Sequence, residues 1–203
     1  MRKYNPARLG HKQSGFTLLE LLMVLGIIAV LAIAAFVIYP KVQASNEANT
    51  ESSNITAIAA GVKSLFASTG DYSSLTADGT ATLISAKILP DNMVDSDGKG
   101  AHSSFDTANG SVVVGTDSYG SADGSQAAGA NGLFDIIYQN VPTAVCNKLA
   151  TGVGANFQNV MVGGTTVFAQ NGGGSGGYRP DPVTVAKQCA STTGSTAMVF
   201  VSN

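Results

Sequence analysis

The chain has 203 residues, 44% of them hydrophobic and only 12% charged, with 24 glycines, two cysteines and a formal charge of −2. Four of the eleven Lys/Arg (Arg2, Lys3, Arg8 and Lys12) lie in the first fifteen residues, which hold no acid, so seven basic side chains face all thirteen acidic ones in residues 16–203. A charge of −6 over that main body excludes a cationic face for nucleic acid, and its length suits one ordinary domain with a modest core.

The basic leader runs into Gly15 and then an apolar segment, Phe16 to Tyr39, of twenty-four residues in which Glu20 is the only charge. As a helix it would measure about 36 Å at ~1.5 Å per residue, enough to cross a bilayer. An ordinary secretory signal has a shorter apolar stretch with a small-residue cleavage site at its far end. Here Phe36-Val37-Ile38-Tyr39-Pro40 closes the run instead. A plain membrane anchor with a cytoplasmic leader accounts for the length and the basic flank, but not for Glu20. A charge inside a spanning helix costs about 2.5–3.5 kcal/mol on insertion scales, so it calls for a partner.

The basic leader, Gly15, Phe16-Thr17-Leu18-Leu19-Glu20 and the apolar run together resemble the prepilin signature of the type IV pilin superfamily. The resemblance implies that a membrane-embedded prepilin peptidase cuts after Gly15 on the cytoplasmic side. Phe16 then becomes an N-methylated N-terminus, and Glu20 the fifth residue of the mature chain. Cleavage would leave an ammonium beside an apolar phase, where Glu20 is the carboxylate that needs a cation. Opposite charges ~4 Å apart attract by several kcal/mol at an effective dielectric near 20. In a helical filament the Glu20 of one subunit would neutralise the Phe16 amine of its neighbour and set the axial register.

Beyond Pro40, which should kink or loosen the helix, Lys41 to Asn54 is polar and rich in weak helix formers. The helical pattern resumes with Ile55, Ile58, Val62, Leu65 and Phe66 and stops at Gly70. That apolar face should lie against a sheet. Residues 71 to 110 are irregular, with a short helix expected at Thr80–Leu89, ended by Pro90. Ser111–Val114 and Leu133–Gln139 are strand candidates. Pro142 should open a short helix through Leu149, stopping near Gly152 and presenting Cys146. Val160-Met161-Val162, Gly163-Gly164 and Thr165-Thr166-Val167-Phe168 form a two-residue hairpin signal, and Met198–Val201 a last strand. The expected fold is α+β: a long N-terminal helix on an antiparallel sheet. Its parts would be a leader (1–15), a membrane or filament-core helix (16–40), an amphipathic helical half (41–70) and a C-terminal head (71–203).

Cys146 and Cys189 enclose forty-two residues. In an exported domain an even pair is expected to form a structural disulfide. A zinc site would lack ligands, since there is no CxxC and the only histidines are His11 and His102. Gly173-Gly174-Ser175-Gly176-Gly177 matches the hydrolase pattern GxSxG, but no histidine follows it, and it lacks the GK[ST] ending of a phosphate loop. A flexible loop is the expectation there. Asn54-Ile55-Thr56 is a formal glycosylation sequon on a predicted helix, hence accidental. Asp91, Asp95 and Asp97 lack EF-hand spacing and are expected in a solvated loop, with calcium the minor alternative. Neither a catalytic constellation nor a cofactor site is expected, and the chain is not expected to be an enzyme.

Within the superfamily, Asn54-Ile55-Thr56-Ala57-Ile58 and Gly70-Asp71-Tyr72 resemble the PilS-like pilins of the type IVb branch. The intermediate fifteen-residue leader and a mature Phe16, more usual in type IVa, depart from that pattern. The resemblance implies a structural subunit that resides in the inner membrane before assembly and then polymerises into an extracellular pilus on a Gram-negative cell. Its partners would be identical subunits, the prepilin peptidase and the inner-membrane assembly machinery. The filament would serve adhesion, aggregation, motility or conjugative contact. The alternative is a minor pilin or a type II secretion pseudopilin.

Overall fold

The computed structural model describes residues 15–76, 78–116, 132–170, 181–190 and 194–203. The chain divides into two compact units after Pro40.

The first element, α1 (Leu18–Leu65), is assigned as helix without a break through Pro40. Proline removes one backbone donor, which interrupts a single rung and not the helical span. The polar stretch after it is helical too. Ala44, Ala48, Glu51, Ile55, Ile58 and Val62 are buried, alternating three and four residues apart along one face. The buried stripe therefore begins eleven residues before the expected Ile55, in small and charged side chains. It also ends sooner: Leu65, expected on this face, is 44% exposed. Helical assignment stops there, and the turn after it closes at Gly70, whose φ is +62° and whose N–H donates to the Phe66 carbonyl at 2.8 Å.

Helix α2 (Thr80–Ser85) is shorter than the expected Thr80–Leu89, since Lys87 adopts φ +58° and breaks the helical path before Pro90 is reached. Strands β1 (Val112–Thr116), β2 (Phe134–Pro142), β3 (Asn159–Val162), β4 (Thr165–Ala169) and β5 (Ser195–Ser202) form one antiparallel sheet in the order β1-β2-β5-β3-β4. Gly163 and Gly164 have φ +58° and +79°, as the tight hairpin between β3 and β4 requires. Strand β2 carries an irregularity between Tyr138 and Val141, where Asn140 takes φ +52°. Helix α3 (Thr143–Val153) follows Pro142 and ends one residue beyond Gly152, near the expected stop. Helix α4 (Pro182–Cys189) was not expected at all. Its signals are standard ones in hindsight: Pro182 sits in the first turn, and the Asp181 carboxylate accepts the N–H groups of Val183 and Thr184.

One core joins the buried face of α1 to Val114, Phe134, Ile136, Tyr138, Val162 and Phe200 of the sheet and to Leu149 and Val185 of the two later helices. Ile137, Met161, Val199 and Val201 lie in a second buried cluster. Adjacent strand residues point to opposite faces, so both faces of β5 are buried, and its apolar run Met198–Val201 is continuous instead of alternating.

Candidate functional site

Gly15, Phe16 and Thr17 precede the first helical residue, Leu18. The Thr17 carbonyl accepts the N–H of Leu21 at 3.2 Å, and its Oγ1 accepts the N–H of Glu20 at 3.2 Å. Thr17 is therefore the N-cap of α1, and Glu20 sits at the third helical position, near the positive end of the helix dipole. A Cβ added at Gly15 would meet nothing within 4 Å. The chain's own packing thus places no steric demand for glycine there. The Glu20 carboxylate is exposed and, among the described residues, has no ion-pair partner. Every residue from Gly15 to Gln43 is exposed, including Phe16 at 82% and Phe36 at 80%. Arg2, Lys3, Arg8, His11 and Lys12 lie outside the described residues.

A second charged feature escaped the sequence reading. Glu51 is fully buried. Its Oε1 accepts the Ser104 N–H at 2.7 Å, and its Oε2 accepts the Tyr138 hydroxyl at 3.0 Å and Asn54 Nδ2 at 3.3 Å. No cation is needed, because three donors from α1, β2 and the 103–106 turn compensate the buried carboxylate. Burial, with the Glu51 carboxylate adding to it, holds the Tyr138 phenol well above its ordinary range. The spacing from Glu51 to Ile55 and Ile58 was the available signal, but a glutamate within a polar run normally faces water. Asn54, the formal sequon residue, is itself buried.

Cys146 on α3 and Cys189 at the end of α4 form the disulfide, with Cα atoms 5.8 Å apart and both residues buried. In the acidic cluster Asp91 and Asp97 are exposed, as expected of a solvated loop, whereas Asp95 is buried. Asp95 is 8% exposed; its Oδ1 lies 2.7 Å from His102 Nδ1, and its Oδ2 accepts the Gly110 N–H at 3.1 Å. Asp97 accepts the Lys99 N–H and Asn109 Nδ2, and these bonds hold its carboxyl below the usual range. The two carboxylates thus stitch a turn, and no metal-binding group of His, Cys, Asp and Glu occurs among the described residues. Gly173–Gly177 lies outside the described residues.

The N-terminal cluster of Gly15, Phe16 and Glu20 belongs to one unit, and the disulfide to the other. The first offers an exposed, non-helical Gly15–Phe16 peptide just before an apolar helix, with an exposed carboxylate in its first turn. The second offers a cross-linked structural frame.

Comparison with known proteins points the same way. The family model described as PilS N terminal matches residues 45–203, and the prokaryotic N-terminal methylation motif matches residues 10–36. The fold is similar to that of a type IVb pilin from Salmonella typhi (20% identity, TM-score 0.54, covering 76% of this chain and 99% of that one). It is also similar to TcpA, a type IV pilin from Vibrio cholerae El Tor biotype (17% identity, TM-score 0.51, covering 78% and 99%). No curated protein sequence matches the chain.

Proposed function

The chain belongs to the PilS family, and from that premise we propose that it is the structural subunit of a type IVb pilus, made as a precursor and assembled from the inner membrane into a surface filament of a Gram-negative bacterium. The observation that carries the reading is the exposure of every residue from Phe16 to Val42, the first part of α1 included. Burying a large apolar side chain is worth about 1.5–3 kcal/mol, so leaving this many in water would cost on the order of tens of kcal/mol. Two environments can cover such a helix on all sides: a bilayer before assembly, and the helices of identical subunits afterwards. The apolar span is long enough for the first.

In this reading the prepilin peptidase removes residues 1–15, Phe16 is methylated, and Glu20 pairs with the Phe16 ammonium of a neighbouring subunit during assembly. The methylation-motif match, which spans Gly15, Phe16 and Glu20, supports this assignment. Residues 16–40 form the filament core, 41–70 the helical half that packs on the sheet, and 71–203 the head, framed by the Cys146–Cys189 disulfide. Nothing in the comparisons favours a minor pilin or a pseudopilin over the major subunit.

Processing gives the direct test. Gly15→Val should leave an unprocessed precursor in the membrane. Intact-mass measurement on sheared surface filaments should show a chain that starts at Phe16 and is heavier by one methyl group. Residues 1–15 on surface filaments would overturn the assignment.

A further inference from the structure

The helix start has a construction of its own. Phe16-Thr17-Leu18-Leu19-Glu20-Leu21 places a threonine at the N-cap, a glutamate at the third helical position, and apolar residues just before the cap and at the fourth position. That order is the capping box flanked by the two positions of a hydrophobic staple. The structure shows the first half of the box, the Glu20 N–H donated to Thr17 Oγ1 at 3.2 Å.

A cap matters here because the helix has a reason to lengthen. Unpaired backbone amides are costly in an apolar phase, and continuing the helix backwards would pair them. The leader contains no proline between Ala7 and Gly15 to stop it. One further turn would draw in Ser14, Gly15 and Phe16. The Gly15 carbonyl would then accept the N–H of Leu19 inside a helix and be closed to attack. In the structure, Gly15, Phe16 and Thr17 remain outside the helix.

Resting on the processing reading above, we propose that Thr17 is a positioning residue for leader removal: by capping α1 it holds the Gly15–Phe16 peptide in non-helical form, open to the peptidase. The reaction is a hydrolysis. Water adds to the Gly15 carbonyl carbon, the C–N bond to Phe16 breaks, and the products are the Gly15 carboxylate and the Phe16 ammonium. Thr17 neither donates nor accepts a proton in it. Its hydroxyl oxygen is engaged with the Glu20 N–H and sets where the helix begins. The open space around Gly15 fits this division of labour, since the fold asks nothing of that residue and the requirement for glycine comes from outside the chain.

The test is a pulse-chase of the full-length precursor in cells that express the peptidase, with wild type, Thr17→Val, Thr17→Ser and Thr17→Asn. Valine keeps the branched shape without an acceptor, whereas serine and asparagine are good caps. Thr17→Val should be cleaved more slowly, on the order of five-fold, the effect expected from loss of one N-cap. Serine and asparagine should restore the wild-type rate. Amide hydrogen exchange on the uncleaved precursor in micelles should show Leu18 and Leu19, whose N–H groups the Ser14 and Gly15 carbonyls would accept in a lengthened helix, protected in Thr17→Val and unprotected in the other three. Equal cleavage of wild type and Thr17→Val would overturn the positioning role while leaving the processing reading intact. Slow cleavage of all three variants would overturn it too, since the threonine itself, not its capping, would then be required. Wild type left uncut between Gly15 and Phe16 would remove the processing reading, and this proposal with it.

Discussion

The two halves of α1 reverse the usual relation between polarity and burial. From Leu18 to Tyr39 the helix is almost wholly apolar and every side chain is exposed; from Lys41 to Val62 it is largely polar, yet carries a buried stripe that includes a charged residue. Hydrophobicity alone therefore does not say what covers a helix. The first half is left exposed among the described residues, and in the proposed reading lipid or other subunits cover it. The second half is covered by its own sheet, and small residues such as Ala44 and Ala48 suit that role because they let the backbones approach closely. Glu20 and Glu51 show the same contrast. Glu20 is exposed, with no ion-pair partner among the described residues, and Glu51 is buried with three donors.

The sharpest way to break this comparison is Glu20→Leu. If Glu20 were merely tolerated, leucine would ease membrane insertion by up to ~3 kcal/mol and filaments would form normally. If it pairs with the neighbouring Phe16 ammonium, the loss is about 3–5 kcal/mol and recurs at every subunit. The expected outcome is a processed, membrane-resident subunit with little or no filament, read by immunoblot of sheared and membrane fractions. Normal filament yield would sink the pairing.

In the head, Cys146→Ser should lower stability by about 4 kcal/mol on the chain-entropy account of a loop of this size, without affecting insertion of the N-terminal helix. Urea unfolding of the head, read beside membrane fractionation, separates the two effects. Thiol labelling of unfolded but unreduced filament protein checks the premise, because labelled Cys146 and Cys189 would contradict a structural cystine.

Glu51→Gln probes the covered half. Glutamine keeps the volume but points an N–H donor at groups that are themselves donors. The expected loss is about 1–3 kcal/mol, seen as a lower urea midpoint with unchanged processing. A midpoint equal to wild type would mean that the carboxylate does not hold α1 to β2 and the 103–106 turn.

The smallest effect concerns pH. The Tyr138 phenol titrates well above its usual range in the folded head, so the folded chain keeps a proton that the unfolded chain releases near pH 10. This contribution is fully present below about pH 10 and is lost as the pH rises towards the folded value. Tyr138→Phe should flatten the fall in stability above about pH 10. The same slope in both proteins would show that the phenol is not shielded as its burial implies.

How much of this was legible in the residues follows from the range of the interactions involved. The long apolar run, the placement of Gly15, Phe16 and Glu20 at its start, and the Gly163-Gly164 hairpin are local: each depends on neighbours a few positions away. So do the signals for α4, Asp181 and Pro182, which could have been read and were not. The early start of the buried face at Ala44 and the burial of Glu51 could not be read this way. Glu51 is a core residue because Ser104 and Tyr138, 53 and 87 positions away, bring it donors. Asp95 is drawn in likewise by His102 and the Gly110 amide. The sequence by itself determined an apolar N-terminal helix opened by a carboxylate, the strand candidates and the hairpin, because propensity and periodicity act over short distances. Only the tertiary structure decided which polar groups are buried, since a charge can leave water only where distant parts of the chain converge to replace its hydrogen bonds.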